Sequence, residues 1–152
     1  MAVKLDNNEE YKLTNAELAW MYKTGLKQDI KYLKHLQNRS IRYGLLSYAC
    51  FGLSSYLSGK NLSEYINKQE DETLIYFLIM TGLAFWNNYN GVKCFEEVMK
   101  NHKDIKIIKT VLKEFEKLED LPFPLQDESI AALKEAYDNS KMLVRNKKII
   151  YK

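Results

Sequence analysis

Residues 43–59 read YGLLSYACFGLSSYLSG, and residues 73–92 read TLIYFLIMTGLAFWNNYNGV. Neither stretch contains Asp, Glu, Lys or Arg, although charged residues make up 28% of the chain. A helix without a charged face is typical of the centre of a helical bundle or of a membrane. A short acidic segment separates the two stretches. The pattern therefore predicts a helical hairpin formed by two apolar segments, 41–59 and 73–92.

Long amphipathic segments lie on both sides of this hairpin. Before it, Thr14 and Glu17 have the spacing of a helix-capping box, and apolar residues follow at intervals of three and four. After it, a similar apolar pattern begins at Val92 and has lysines on its opposite face. Only two prolines and six glycines interrupt the chain. We therefore predict an all-α fold of about four long helices, with basic amphipathic helices flanking a central apolar hairpin.

Breaks between the helices are predicted where glycine or proline occurs beside polar residues. Gly59-Lys60-Asn61 and Asn90-Gly91 are candidate helix ends, and Leu121-Pro122-Phe123-Pro124 ends the third helix. The predicted organisation is a polar N-terminal tail at 1–13 and a helical hairpin domain at 14–120. A proline-broken linker, a C-terminal helix and a basic tail follow at 121–152.

The charge distribution favours a membrane hairpin over a soluble bundle. Six basic residues and one acidic residue lie between Lys23 and Arg42, whereas the segment from Lys60 to Glu72 has two basic and four acidic residues. The positive-inside rule would place both termini on the cytoplasmic or matrix side of a bilayer spanned by two transmembrane helices. The alternative is a cytoplasmic helical bundle, which the serines of the first stretch favour.

Several classes of function receive no support from composition or motifs. The net charge of +3 is too balanced for a dedicated nucleic-acid binder. The two cysteines, Cys50 and Cys94, and the two histidines, His35 and His102, lack the spacing of metal ligands. No grouping of nucleophile and base emerges, so the sequence predicts a protein that is not an enzyme and needs no cofactor or metal.

Two groups of polar residues are the candidate sites of contact. Small residues at intervals of three and four on the first apolar segment predict a helix-packing interface with another subunit, because such residues let helix backbones approach closely. They are Ser47, Cys50, Ser54 and Ser58. Amides at the end of the second segment predict an interfacial polar cluster of Asn87, Asn88 and Asn90.

The leading hypothesis for function is a structural, non-catalytic accessory subunit of a membrane protein complex, with the mitochondrial inner membrane as its setting. Its partners would be other protein subunits and the lipid bilayer, without nucleic acid. One alternative is a soluble helical-bundle adaptor or regulator that binds a protein partner. A second alternative is a bacterial membrane effector with two spans.

Overall fold

Three helices account for most of the chain. The structure is a computed structural model, and it describes residues 2–4, 10–12, 14–119 and 127–150. The helices are α1 (Asn15–Lys68), α2 (Asp71–Glu119) and α3 (Asp127–Ile150). Two short strands, β1 (Ala2–Lys4) and β2 (Glu10–Lys12), pair antiparallel near the N-terminus. The all-α prediction is confirmed, with this small strand pair in addition.

The predicted number of four long helices is wrong, because the break predicted at Asn90-Gly91 does not occur and the break predicted at Gly59-Lys60-Asn61 lies instead at Gln69–Glu70. Helix α1 continues through Gly59-Lys60-Asn61, where Asn61 is half-buried and Lys60 pairs with Glu64 at 3.8 Å on the same helix. Helix α2 continues through Asn90-Gly91. A glycine inside a helix costs only about 1 kcal/mol relative to alanine, and packing against a neighbouring helix outweighs that cost. The predicted linker at 121–126 and the last residues of the basic tail lie outside the described residues.

The start of α1 and the connection to α2 follow local rules. Thr14 accepts a hydrogen bond from the Glu17 backbone N–H at 3.3 Å, and the Glu17 carboxylate accepts one from the Thr14 backbone N–H at 2.9 Å. This reciprocal pair confirms the predicted capping box. Helix α1 ends where Gln69 adopts a left-handed conformation with φ of 56°, a conformation common just after a helix. In the first turn of α2, Thr73 donates its hydroxyl to the Glu70 carbonyl at 2.7 Å.

The chain divides into two compact units, and α1 and α2 contribute to both. The first unit contains residues 1–35 and 102–152, and the second contains Leu36–Asn101. In the first unit, buried apolar residues from all three helices form a core with Tyr22 and Tyr137 at its edge. The rings of Tyr22 and Phe115 lie 5.0 Å apart, and those of Tyr22 and Tyr137 lie 4.6 Å apart. The buried core residues of this unit are Ala19, Leu26, Ile30, Leu33, Ile105, Ile108, Phe115 and Val144.

The second unit is an antiparallel pair of helices joined by the turn at Gln69–Glu70. Ser58 contacts Thr81 close to the turn, and Ser40 binds Glu97 near the open end. Between them, the tilted rings of Tyr48 and Phe95 have centroids 5.7 Å apart. The members of each pair are about equally distant from the turn. This regular register confirms the predicted hairpin, and it shows which residue of α1 lies beside which residue of α2.

Replacing each of two glycines in the second unit by alanine is expected to change stability in opposite directions. A Cβ atom on Gly59 would have no neighbour within 4 Å, whereas a Cβ on Gly91 would lie 3.0 Å from a ring carbon of Tyr48. We expect Gly59→Ala to raise the free energy of unfolding by about 1 kcal/mol, because alanine is the better helix former. Gly91→Ala is expected to lower it by about 1 kcal/mol, since the Tyr48 ring must shift. Urea denaturation of both variants checks this, and an equal rise in both would contradict the close packing at Gly91.

Candidate functional site: the surface of the apolar hairpin

The inner face of the hairpin is lined by small and polar side chains. Ser54 and Ser58 are buried, and the Ser58 and Thr81 hydroxyls are 2.7 Å apart. Ser47 and Cys50 are half-buried. The Ser40 hydroxyl donates to the Glu97 carboxylate at 2.9 Å. Two serines of the predicted helix-packing interface are therefore already buried within this chain, and contact of this face with another subunit stays a prediction.

The three asparagines of the predicted polar cluster lie within α2. Asn87, Asn88 and Asn90 are all half-buried, and the helix continues for a further 29 residues after Asn90. The adjacent Gly91 is buried, because Tyr48 occupies the space in front of it. This part of the chain is therefore a helix interior and not the helix end that the sequence suggested. A role of the amides at an interface stays a prediction.

The register of the hairpin defines a zone in which neither helix carries a charge. Residues 47–59 of α1 lie beside residues 80–92 of α2, and all of these residues are uncharged. We call this zone the apolar band. At 1.5 Å per residue its 13 residues on each helix extend about 20 Å, which is shorter than the ~30 Å hydrocarbon core of a bilayer. Each helix has a longer uncharged stretch by itself, but the two stretches are offset along the hairpin.

The outer surface of the apolar band is rich in large apolar side chains that are exposed among the residues that the structure describes. Tyr56 is 70% exposed, Phe85 72% and Trp86 64%. Two helices alone can bury only the faces they turn toward each other, and here those faces hold serine, alanine, glycine and threonine. Exposed large apolar side chains in and beside the band include Tyr43, Leu45, Leu46, Leu53, Tyr56, Leu62, Leu78, Ile79, Leu83, Phe85, Trp86, Tyr89, Val92 and Phe95. Contiguous apolar patches of this kind mark sites of contact with a protein or a membrane.

The two transmembrane helices predicted from the uncharged stretches are not found. Within the described residues, no helix has a segment that is both long enough and apolar enough to cross a bilayer. The reason is the polar content of the stretches, since serines interrupt the first and asparagines follow the apolar part of the second. All-round apolarity of the residues from Leu74 to Trp86 nevertheless gives this helix an exposed apolar surface.

Ionic contacts, rather than apolar surface, distinguish the first unit. The Lys141 ammonium lies 2.7 Å from the carboxylate of buried Asp29. Buried Lys147 forms an ion pair with buried Asp104. Beside Lys141 lies an open cleft of about 400 Å³, which is lined by Asp29, Asp138, Lys141, Met142, Val144 and Arg145. Among the described residues, no three His, Cys, Asp or Glu side chains form a group that could hold a metal ion.

The two buried acids were not predicted, although their spacing in the sequence indicates them. Asp29 lies three residues after Leu26 and four before Leu33, and Asp104 lies four before Ile108. Both acids therefore occupy positions of the apolar stripe that faces the core. A carboxylate at such a position requires a basic partner. Which lysine supplies it depends on how α3 packs, and that packing is not visible in the sequence.

The Lys141 ion pair predicts a loss of stability at high pH. Burial acts to lower the pKa of the Lys141 ammonium, but hydrogen bonds and charge from Asp29 and Tyr137 outweigh it and raise the pKa above its ordinary 10.5. The ammonium therefore contributes its full stabilisation below pH 10.5 and loses it as the pH rises through the raised value. We expect Lys141→Met to melt at a lower temperature than the parent. This difference in melting temperature should narrow once the pH exceeds the raised pKa of Lys141. A gap that stays constant up to pH 12 would contradict the assignment.

Known proteins offer no guide to this surface. No family model, no curated protein and no solved structure matches the chain.

Proposed function

We propose that the protein is a non-catalytic structural subunit of a larger assembly, in which other protein surfaces cover its apolar hairpin. The observation that carries this proposal is the exposure of the large apolar side chains around the apolar band. An exposed apolar surface drives association, because each Å² removed from water contributes roughly 25 cal/mol. The uncharged part of this surface is the apolar band in the middle of the hairpin, and charged residues lie at both of its ends.

The first unit supports this role by being a folded body in its own right. It has a core built from α1, α2 and α3, and its outer positions are rich in lysine and glutamate. Because α1 and α2 belong to both units, a partner bound at the hairpin is connected to the first unit by two continuous helices. Such a chain can anchor one part of an assembly to another without any chemical step.

The experiment compares the size of the native particle for matched variants. The parent chain, produced at its natural level, is expected to sediment in a particle larger than its own 17.9 kDa. The double variant Phe85→Gln/Trp86→Gln is expected to sediment as a free chain, because it makes the apolar band polar. Trp20→Gln is the matched control, since Trp20 is 70% exposed but lies in the first unit. A parent chain that sediments alone would refute the proposal.

A second candidate is a subunit of a membrane protein complex whose hairpin is partly embedded in the bilayer, as at the mitochondrial inner membrane. The observation that favours it is the set of exposed aromatic side chains at the two ends and the middle of the hairpin, because Tyr and Trp are enriched at membrane interfaces. They are Tyr43, Tyr56, Tyr76, Trp86 and Tyr89. Retention in the membrane pellet after alkaline carbonate extraction is expected for this candidate, and release into the supernatant would count against it.

A further inference from the structure

We propose that one of the surfaces covering the hairpin is the hairpin of a second copy of this chain, bound antiparallel about a two-fold axis at Leu53 and Trp86. This inference rests on the proposed function and names one occupant of the same surface. The order of charged and apolar residues along each helix supports it, together with the register that the hairpin contacts establish.

The outer side of α1 carries an ordered stripe of exposed residues. Leu46, Ala49, Leu53 and Tyr56 follow one another at intervals of three, four and three, so they lie on one side of the helix, and all four are exposed. Exposed Arg42 precedes this stripe, and Glu64 follows it. Both are 11 residues from Leu53. If a second α1 lies antiparallel with its Leu53 opposite Leu53, each Arg42 therefore faces the Glu64 of the other copy.

Helix α2 has the same arrangement about Trp86. Ile79, Leu83 and Trp86 form an exposed apolar stripe at intervals of four and three. Exposed Glu72 and exposed Lys100 lie 14 residues before and after Trp86. An antiparallel copy centred on Trp86 therefore places each Glu72 opposite the Lys100 of the other chain.

One two-fold axis satisfies both helices at once. The contacts of Ser58 with Thr81 and of Tyr48 with Gly91 fix the register of the hairpin, and in that register Leu53 lies at the level of Trp86. The two centres were located independently, one from the charges of α1 and one from those of α2. Their coincidence gives the order of charges along the hairpin the symmetry that a two-fold contact between identical chains requires.

Net charge favours the same antiparallel direction. The end of the hairpin near the turn, residues 60–72, has four acidic and two basic residues. The opposite end, residues 36–42 and 93–101, has four basic and two acidic residues. A parallel pair of hairpins would bring like charges together at both ends, whereas the antiparallel pair brings opposite charges together. Glu64 already contacts Lys60 at 3.8 Å but keeps a 40% exposed side chain, so it can accept a second partner.

The apolar area is close to what a dimer of this kind requires. Six large side chains of the two stripes are between 44% and 70% exposed, namely Leu46, Leu53, Tyr56, Ile79, Leu83 and Trp86. At roughly 100 Å² each they present about 600 Å², and the charged ends add to this, against the ~800 Å² that each partner contributes to a standard interface. Leu78, Phe85 and Tyr89 belong to neither stripe and stay available to the other subunits of the assembly.

A charge swap tests the pairing in the purified full-length chain. Sedimentation equilibrium should show a dimer, and Arg42→Glu should raise its dissociation constant by about 10-fold or more. The two-fold axis repeats the contact of Arg42 with Glu64, so the substitution replaces two attractive charge pairs by two repulsive ones. Adding Glu64→Arg to Arg42→Glu should return the constant to within about 3-fold of the parent value. Lys31→Glu makes the same change of charge in the first unit and should leave the constant unchanged. No recovery in the double variant would overturn the pairing.

Single cysteines test the direction in a background with Cys50→Ser and Cys94→Ser. Leu53→Cys lies at the proposed axis and should form a disulfide-linked dimer on mild oxidation. Ile66→Cys is also exposed, but its two copies would be about 39 Å apart and should remain unlinked. Linkage through both positions would indicate a parallel pair and overturn the proposal. If the purified chain is monomeric at 100 μM but still enters a larger native particle, the proposed dimer is wrong and the proposed function is unaffected.

Discussion

Replacing Lys147 by methionine is expected to lower the free energy of unfolding of the first unit by about 3–5 kcal/mol. Lys147 and Asp104 form an ion pair between α3 and α2, and each residue is only 7% exposed. The variant keeps a similar apolar length at position 147 but leaves the Asp104 carboxylate buried without its cation. Two charges removed from water are tolerated only as a pair, so the cost arises from the carboxylate that remains. Urea denaturation followed by far-UV circular dichroism measures the change.

Two controls separate this effect from a general loss of charge. Lys117→Met removes an ion pair with Glu114 of 2.9 Å, but both side chains are exposed, so the expected loss is below ~0.5 kcal/mol. The double variant Asp104→Leu/Lys147→Met removes both buried charges and should recover most of the stability lost in Lys147→Met. A loss of similar size for Lys117→Met and Lys147→Met would show that Asp104 is hydrated rather than buried.

Truncating Phe115 to alanine is expected to cost about 3–5 kcal/mol of unfolding free energy in the same unit. Phe115 is 2% exposed and lies 5.0 Å from the Tyr22 ring and 6.4 Å from the Tyr137 ring, so it joins residues of α1, α2 and α3. Alanine would leave a cavity at this junction. The Tyr22 hydroxyl reports on the same place, because burial, with the charge of Asp138, raises its pKa above 10.0.

The readout for Phe115→Ala therefore has two parts. Chemical denaturation should show the loss of stability, and a spectrophotometric titration should show tyrosine ionisation at lower pH than in the parent. Trp20→Ala is the matched control, because Trp20 is an aromatic residue of α1 in the same unit and is 70% exposed. It should change the free energy of unfolding by no more than ~0.5 kcal/mol. Equal effects of the two variants would mean that Phe115 is not part of the core.

The elements that the sequence predicted correctly are those set by local physical rules. The capping box at Thr14 and Glu17 needs only residues three positions apart, and the hairpin follows from two uncharged stretches separated by a short polar segment. The number of helices was wrong because glycine is a weak helix breaker whose effect depends on the partner helix, so that α2 continues through Gly91. At Gly91 that partner is Tyr48, and no local signal relates these two positions.

The candidate site was predictable only in part, for a similar reason. An uncharged segment reveals that a helix is apolar, but it does not reveal which of its faces the chain itself covers. The spacing of Ser54 and Ser58 predicts a contact face with another subunit, but both are buried inside the hairpin, whereas Tyr56 and Trp86 are exposed. The overlap that defines the apolar band depends on the register between α1 and α2, which the turn at Gln69 establishes.

The most direct test of the proposed function is the accessibility of the apolar band in the native assembly. Brief hydroxyl-radical oxidation of unfractionated native extract, read residue by residue by mass spectrometry, compares Tyr56, Phe85 and Trp86 with Trp20 in the same molecules. All four side chains are at least 64% exposed in the isolated chain. We expect the three hairpin residues to be protected in the extract and to react once the protein is denatured in urea, while Trp20 reacts in both. Hairpin residues that are oxidised as readily as Trp20 in the native extract would contradict a covered hairpin.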